Sequence, residues 1–549
     1  MKSADVIDFI GSEGLEAELL YNSEAFSHFV PRQGLINDGN FISPLLEKCI
    51  PYLNDKERIT KPLKRTEAGF VEISFSEAFD IIEAAIKHVH SNENAFFAGA
   101  RMSNEAMYLV QKLARAGVKS NNIGSFHYFG RNATHYNIDK NDNVQFSEIE
   151  NATSVILLGE DLKEKKGRRE KEKSYEHKPL RSSDTHPKLE RSFLQPYDIA
   201  NIPDCFPHRN LAVAMAVNSN LKINVLTTVN YYHFIKALNY HIVVNNLQQG
   251  IFVEEIIKTQ FPKYKERILT ENLEYLLEKA GVSAAELSDF ADFYLKEKRC
   301  IIIYYEKDVS SHTVRELLNL CLLTEKSGFP SSGILSLKEK NNAQGLFDMG
   351  LFSHIGTGGN MFTDLFVEMM KNSWKVGHVA TEPIDNEEYF YSGKSKNLFI
   401  FGEDPLGCLK DGVEKKLLDK SQFIMVQDYF LTETALKADI ILPDTFPFET
   451  GGSFTNTIKI VQSFPKSLPP PVELDHLQQL SALCQRFGLP PCNSLDDIFL
   501  EMVSFLKTEC SGGLRHQLIY TEKDSNNTLF ASGCDDLMRK CETCKEISK

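Results

Sequence analysis

An α/β fold made of doubly wound parallel sheets is what this chain predicts, and three features predict it. Short, nearly continuous runs of Val, Ile, Leu and Phe recur along its length, as parallel strands do when helices cover both their faces. Amphipathic segments opened by helix-start residues separate those runs. Strand and helix alternate densely enough for layered α/β domains.

The expected strands, in order, are 94–100 (NAFFAGA), 153–161 (TSVILLGED), 221–228 (LKINVLTT) and 239–246 (NYHIVVNN). They continue with 299–308 (RCIIIYYEKD), 396–405 (KNLFIFGEDP), 423–428 (FIMVQD) and 439–444 (DIILPD). Ser74 and Glu77 make a capping box ahead of AFDIIEAAIKHV, and Ser283 and Glu286 repeat it. Ser103 or Asn104 caps EAMYLVQKLARAG, which is expected to stop at Gly117. In HTVRELLNLCLLTEKSG, residues Val314, Leu317, Leu318, Cys321 and Leu322 share one helical face.

A chain of 549 residues has room for about three or four domain-sized units. Its net charge of −14 argues against a nucleic-acid surface. No apolar stretch approaches the roughly 18–20 residues of a membrane span. The opening MKSADVIDFIGSEGLEAELL carries acids where a signal peptide is basic and then apolar. A cytoplasmic location is therefore expected, with membrane association only through partners. The eleven cysteines are then expected mainly as reduced thiols.

Two regions break the rhythm. Residues 162–191 are highly charged and poor in large apolar side chains, so they read as an exposed insertion. A docking arm for an acidic partner is the alternative. The terminal CDDLMRKCETC spaces Cys534, Cys541 and Cys544 at i, i+7 and i+10. With Cys510, these four thiolates would suit zinc or an iron–sulfur cluster; the competing reading is a tail of free thiols.

In an open parallel sheet, ligands bind beyond the carboxyl ends of the strands. FIFGEDP puts Gly402, Glu403 and Asp404 at such an end, and FIMVQD delivers Asp428 to the same edge. Thr432 can cap a short helix there, and Gly451 and Gly452 let backbone come close. Thr434 and Asn456 complete the candidate set.

The stretch KERITKPLKRTEAGFVEISFSEAFDIIEAAI resembles the entry to the molybdopterin-dependent oxidoreductases, and GARMSNEAMYLVQKLARAGVKSNNIGS resembles their next unit. NNAQGLFDMG, FIFGEDPL, VQDYFLTETALKADIILP and FETGGSFTNTIKIVQ match further blocks in the same order. That family includes formate dehydrogenases, nitrate reductases and the large iron–sulfur subunit of respiratory complex I. The resemblance implies two interleaved Rossmann-like domains. Residues 66–130 with 297–470 would form the first, and 131–296 the second, inserted one. Residues 1–65 would be a degenerate entry segment, and 471–549 a helical segment with the cysteine tail. It also implies that the edge formed by 402–404, 428 and 451–456 held the guanosine and pyrophosphate of a molybdopterin cofactor, with Asp428 on guanine or ribose.

Set against that resemblance, the residues lead us to expect the family's redox groups to be missing. Its N-terminal module usually supplies four cysteines to a [4Fe–4S] cluster, whereas only Cys49 precedes Pro62 here. In NNIGSFHYFGRNATHYN, where the family presents its metal ligand, Ser125 and His127 are the polar candidates, and neither restores a ligand–base arrangement. Few strand-like residues follow DHLQQLSALCQRFGLPPCNSLDDIFLEMVSFL to build the family's C-terminal β-barrel. In NTIKIVQ, Ile458 and Ile460 stand where relatives carry polar or basic groups, leaving Lys459 as the cation of that block.

The expected function is a non-catalytic scaffold in an electron-transfer complex related to NADH dehydrogenase, hydrogenase or formate dehydrogenase. Its partners would be flavin/iron–sulfur diaphorase or ferredoxin-like chains, and it would carry no cofactor of its own. The alternative is an active, formate-dehydrogenase-like enzyme with molybdopterin guanine dinucleotide and its cluster on another chain. A third reading is a regulatory module binding a nucleotide beside Asp428.

Overall fold

The computed structural model describes residues 1–136, 143–158, 194–196, 209–248, 253–506 and 518–524, apart from single positions within those runs. The insertion at 162–191 and Cys510, Cys534, Cys541 and Cys544 lie outside the described residues. The chain divides into two compact units, Met1–Asn137 with Lys338–Arg515, and Ile138–Leu337 with His516–Ser525.

The first unit is organised on a seven-stranded sheet. Its spatial order is Gly69–Glu72, Leu63–Thr66, Ile440–Pro443, Phe423–Asp428, Asn397–Phe401, Asn94–Ala98 and Ile123–Gly124. The five strands from Ile440 to Gly124 run parallel, and the Leu63–Glu72 hairpin pairs antiparallel at one edge. The central strand Asn397–Phe401 is buried at every position, which explains its unbroken apolar run. Phe97, Phe126, Leu398, Ile400, Val426 and Ile441 are among the residues of the core on one face.

The segment before residue 65 folds too. Lys2–Ile7, Glu16–Tyr21 and Phe26–Pro31 form a three-stranded antiparallel sheet. Its inner face packs Ile7, Phe9, Ile10 and Leu19 against Tyr429, Phe446 and Phe448. A second hairpin, Gly452–Thr455 with Val461–Phe464, occupies the GGSFTN block.

The second unit carries a five-stranded sheet in the order Gly333–Leu337, Cys300–Tyr305, Ser154–Leu158, Lys222–Leu226 and Leu194–Pro196. Cys300–Tyr305 pairs in parallel with both Ser154–Leu158 and Gly333–Leu337. The inserted unit therefore closes at Leu337 and not at 296, because the strand CIIIYY completes the inner sheet.

Residues 239–246, expected as a strand, are the end of the helix Tyr231–Val244. Asn230 caps it, and Phe234, Ile235, Leu238, Ile242 and Val243 are buried along it. A three-residue apolar run such as IVV carries no period of its own, and the helix upstream decides its state. The helix opened by Ser103 runs past Gly117 through a π-helical turn and ends where Lys119 takes a left-handed conformation (φ 63°). Cys49, Cys300, Cys321 and Cys484 are buried thiols.

One buried cation ties the first unit together at the exit of that helix. Arg115 donates to Asn121 Oδ1, Gln111 Oε1 and the carbonyls of Gly350, Phe352 and Ile355, all within 2.9 Å. Burial depresses its pKa to about 9. Arg115→Met leaves those three carbonyls bare and is expected to cost on the order of 3 kcal/mol, measurable as a lower urea midpoint with an unchanged m-value.

Candidate functional site

Parallel register sets the candidate site. Phe401 lies opposite Gln427, and Asp428 opposite Pro443, so three adjacent strands end level with one another. Asp404, Asp428 and Asp444 therefore crowd one edge, and all three are buried. The backbone is tight here. Gly402 adopts φ +61°, and a Cβ on Gly99 would lie 2.0 Å from the Gly402 carbonyl oxygen.

Each acid is held by the chain itself. Asp404 Oδ1 accepts from the Thr434 amide (3.0 Å) and hydroxyl (2.7 Å) and from the Gly407 amide (3.2 Å). Asp428 accepts from the Tyr429 amide (2.7 Å) and from the Thr432 hydroxyl (2.9 Å). Thr432 Oγ1 in turn caps the turn Ala435–Lys437 through the Ala435 amide. Burial, and then the charges of Asp404 and Asp444, push the Asp428 pKa well above the usual carboxylate range.

Glu403 turns the other way and accepts from Ser125 Oγ (2.7 Å) and the amides of Phe126 and His127. It thereby holds the loop that carries Ser125 and His127. The His127 ring is buried 3.9 Å from Glu339, which also pairs with Arg131 at 3.3 Å. Burial, followed by the charges of Lys340, Arg131, Arg101 and Lys338, keeps His127 neutral well below its ordinary pKa. All four of those cations are themselves buried.

Gly451, Gly452 and Asn456 belong to a different network. A Cβ on Gly452 (φ +147°) would lie 2.8 Å from Glu105 Oε2. Glu105 accepts from the Ser453 amide and hydroxyl, and Asn104 donates to Ser453 and Thr455. Asn342 accepts from the Thr455 amide and donates to the Met102 carbonyl. Asn456 shapes its own turn by accepting from the amides of Ile458 and Ile460, and its amide group donates to the Glu13 carbonyl. The predicted set is thus split between the sheet edge and this hairpin.

Residues not singled out from the sequence complete the edge. Arg58 makes a two-pronged pair with Glu449 (2.7 and 2.6 Å), lies 4.4 Å from the Phe446 ring centre and donates to the Asp444 carbonyl. Tyr429 stacks on Phe446 at 4.4 Å. His476 Nδ1 meets Asp444 at 3.1 Å and Thr445 at 2.8 Å. The only advance signal of these was composition, a His and an Asp flanking apolar runs. Arg101, Ser103, Tyr429, Thr445 and His476 line a cavity of about 20 Å³, room for a single water.

The implied cofactors can be tested against these residues. A [4Fe–4S] cluster does not fit the N-terminal sheet. Its one cysteine, Cys49, is buried and donates to the Leu45 carbonyl. The connecting turns are instead held by Glu16, which accepts from the amides of Leu35, Ile36 and Asn37, and by Asp8, which accepts from Ile10 and Gly11. Among the described residues no group of three or more His, Cys, Asp or Glu is placed to hold a metal. No helix among them is long and apolar enough to cross a membrane.

Comparison with known proteins decides the family. The molybdopterin oxidoreductase domain model matches residues 58–167 and 262–485. The chain belongs to the molybdopterin oxidoreductase family. It is 30% identical over 483 residues to the F420-dependent formate dehydrogenase subunit alpha of Methanocaldococcus jannaschii, covering 83% of this chain and 66% of that one. Identity to the F420-dependent formate dehydrogenase 2 subunit alpha of Methanococcus maripaludis is 27%, over 77% of this chain and 61% of the relative. The chain thus spans just under two-thirds of the length of these relatives. Among solved structures, acetylene hydratase from Pelobacter acetylenicus shares the fold, with a TM-score of 0.59 at 15% identity over 91% of this chain and 71% of that one.

The edge has a pH dependence with a defined sign. Burial opposes a charge on His476, but Asp444 and Asp475 outweigh it and raise the imidazole pKa above 6.5. The stabilisation is fully present below the unfolded value of about 6.5 and is lost as pH rises through the folded value. Wild type is expected to lose on the order of 1 kcal/mol between pH 6 and pH 8.5 relative to His476→Gln, read from urea midpoints at the two pH values.

Proposed function

We propose that this chain is a non-catalytic framework subunit of a formate-dehydrogenase-type electron-transfer complex. One observation carries the reading. At both places where the family resemblance puts redox chemistry, the chain's own hydrogen bonds take the position. Glu16 and Asp8 hold the turns of the N-terminal sheet, and Glu403 holds the 125–127 loop with a neutral, inward His127. The framework would dock the flavin or iron–sulfur chains of the complex, as subunits named alpha in the relatives imply partners.

A second reading has its own support. Arg101, Arg131, Lys338 and Lys340 are buried around His127, and burying four cations favours a polyanionic neighbour. On that reading the chain retains an anionic pterin cofactor and the enzymatic role.

Metal analysis of the native complex separates the two. The framework reading expects no stoichiometric molybdenum or tungsten together with co-purifying redox subunits; one Mo or W per chain overturns it. Asp428→Asn gives an independent check. With no ligand to serve, replacing a carboxyl whose ionisation is opposed by burial and by Asp404 and Asp444 is expected to leave complex composition unchanged and raise stability by about 1 kcal/mol at pH 7.

A further inference from the structure

The second unit holds a short extended segment, 518–524 (LIYTEKD), in a polar groove between the helices Tyr231–Val244, Phe261–Ile268 and Ser311–Leu323. The groove reads main chain. Asn319 clamps Ile519 from both sides, donating to its carbonyl (2.8 Å) and accepting from its amide (3.2 Å). Gln260 accepts from the Leu518 amide at 2.7 Å, and the Lys236 ammonium donates to the Thr521 carbonyl. One side chain is read as well, because the Thr521 hydroxyl donates to buried Glu316.

Two properties set this segment apart from an ordinary connection. Of its seven residues only Thr521 is buried, and Leu518 joins a small cluster with Val253, Ile257 and Leu322. Little apolar surface therefore holds it, and segments of that kind open at low free energy. Most of the socket keeps its pairing when the segment leaves; Glu316 Oε1, which accepts from Thr521, is the atom that opens. Lys236 keeps Glu271 at 2.6 Å and the Tyr232 hydroxyl at 3.0 Å, while Glu316 keeps Asn239 (2.9 Å) and Asn319 (3.2 Å).

The far end of the segment meets a crevice. Thr228, Asn230, Tyr231, Asp308, Ser310 and Thr313 line a cavity of about 330 Å³, and Asp524 forms part of its wall. Asn230 donates to Asp524 at 3.4 Å. The crevice lies beyond the carboxyl ends of Lys222–Leu226 and Cys300–Tyr305.

We propose that the Asn319–Lys236–Glu316 groove is a peptide-binding groove and that residues 518–524 are its tethered ligand, a detachable clasp whose release takes Asp524 out of the wall of the crevice. The backbone clamp at Ile519 makes the groove tolerant of sequence, and the Glu316–Thr521 contact fixes register.

The test uses the full chain and a labelled LIYTEKD peptide. Ile519→Pro with Thr521→Val removes the clasp's amide donor and its hydroxyl. The peptide is expected to bind this double variant about a hundredfold more tightly than wild type, where the tethered copy competes at high effective concentration. Adding Asn319→Ala to the double variant is expected to abolish binding. Hydrogen exchange of the double variant should show the clasp amides unprotected while Tyr231–Val244 and Ser311–Leu323 keep their protection. Equal or absent peptide binding to wild type and double variant overturns the proposal. So does binding that survives Asn319→Ala, or loss of protection in the two helices along with the clasp.

Discussion

Three carboxylates at the level ends of adjacent parallel strands impose the constraint on which the first unit depends. A buried, unpaired charge is costly, and like charges side by side raise the cost. The fold meets this locally. Thr434 and the Gly407 amide serve Asp404, Thr432 and the Tyr429 amide serve Asp428, and His476 and the Thr445 amide serve Asp444. Tyr429, Phe446 and Phe9 then cover the edge with aromatic rings. All three carboxylates at this edge are buried.

The N-terminal sheet shows the same solution in another form. Turns that an iron–sulfur cluster would cross-link through four thiolates are cross-linked here by carboxylates accepting several backbone amides each. Gln462 adds a bridge from the GGSFTN hairpin by donating to the Gly14 carbonyl and to Glu16. Such contacts tie the turns of that sheet to the GGSFTN hairpin.

Much of the fold was legible because buried parallel strands write themselves as apolar runs; seven of the eight expected strands exist. The eighth, at 239–246, belongs to a helix whose period is visible only from Asn230 onward. The N-terminal sheet escaped notice because LEAELLY and FSHFVP alternate weakly and sit among polar turns. The site was legible in part. Asp404, Asp428 and Thr432 do gather at one edge, whereas Gly452 and Asn456 serve the Glu105–Asn342 network. Arg58 and His476 were invisible because their partners are separated from them in sequence by 391 and 32 residues.

The order of strands also bears on how the chain reaches its native state. Asn94–Ala98 and Asn397–Phe401 lie side by side, with Asn397 donating to Asn94 across 303 residues. Closing so long a loop before any reward slows folding. The interposed unit, complete by Leu337 except for the clasp, shortens that search by collapsing the intervening chain first. During synthesis, residues 94–136 must wait for the ribosome to deliver 397–443, a window in which the half-built sheet edge depends on chaperones or on its own helices for cover.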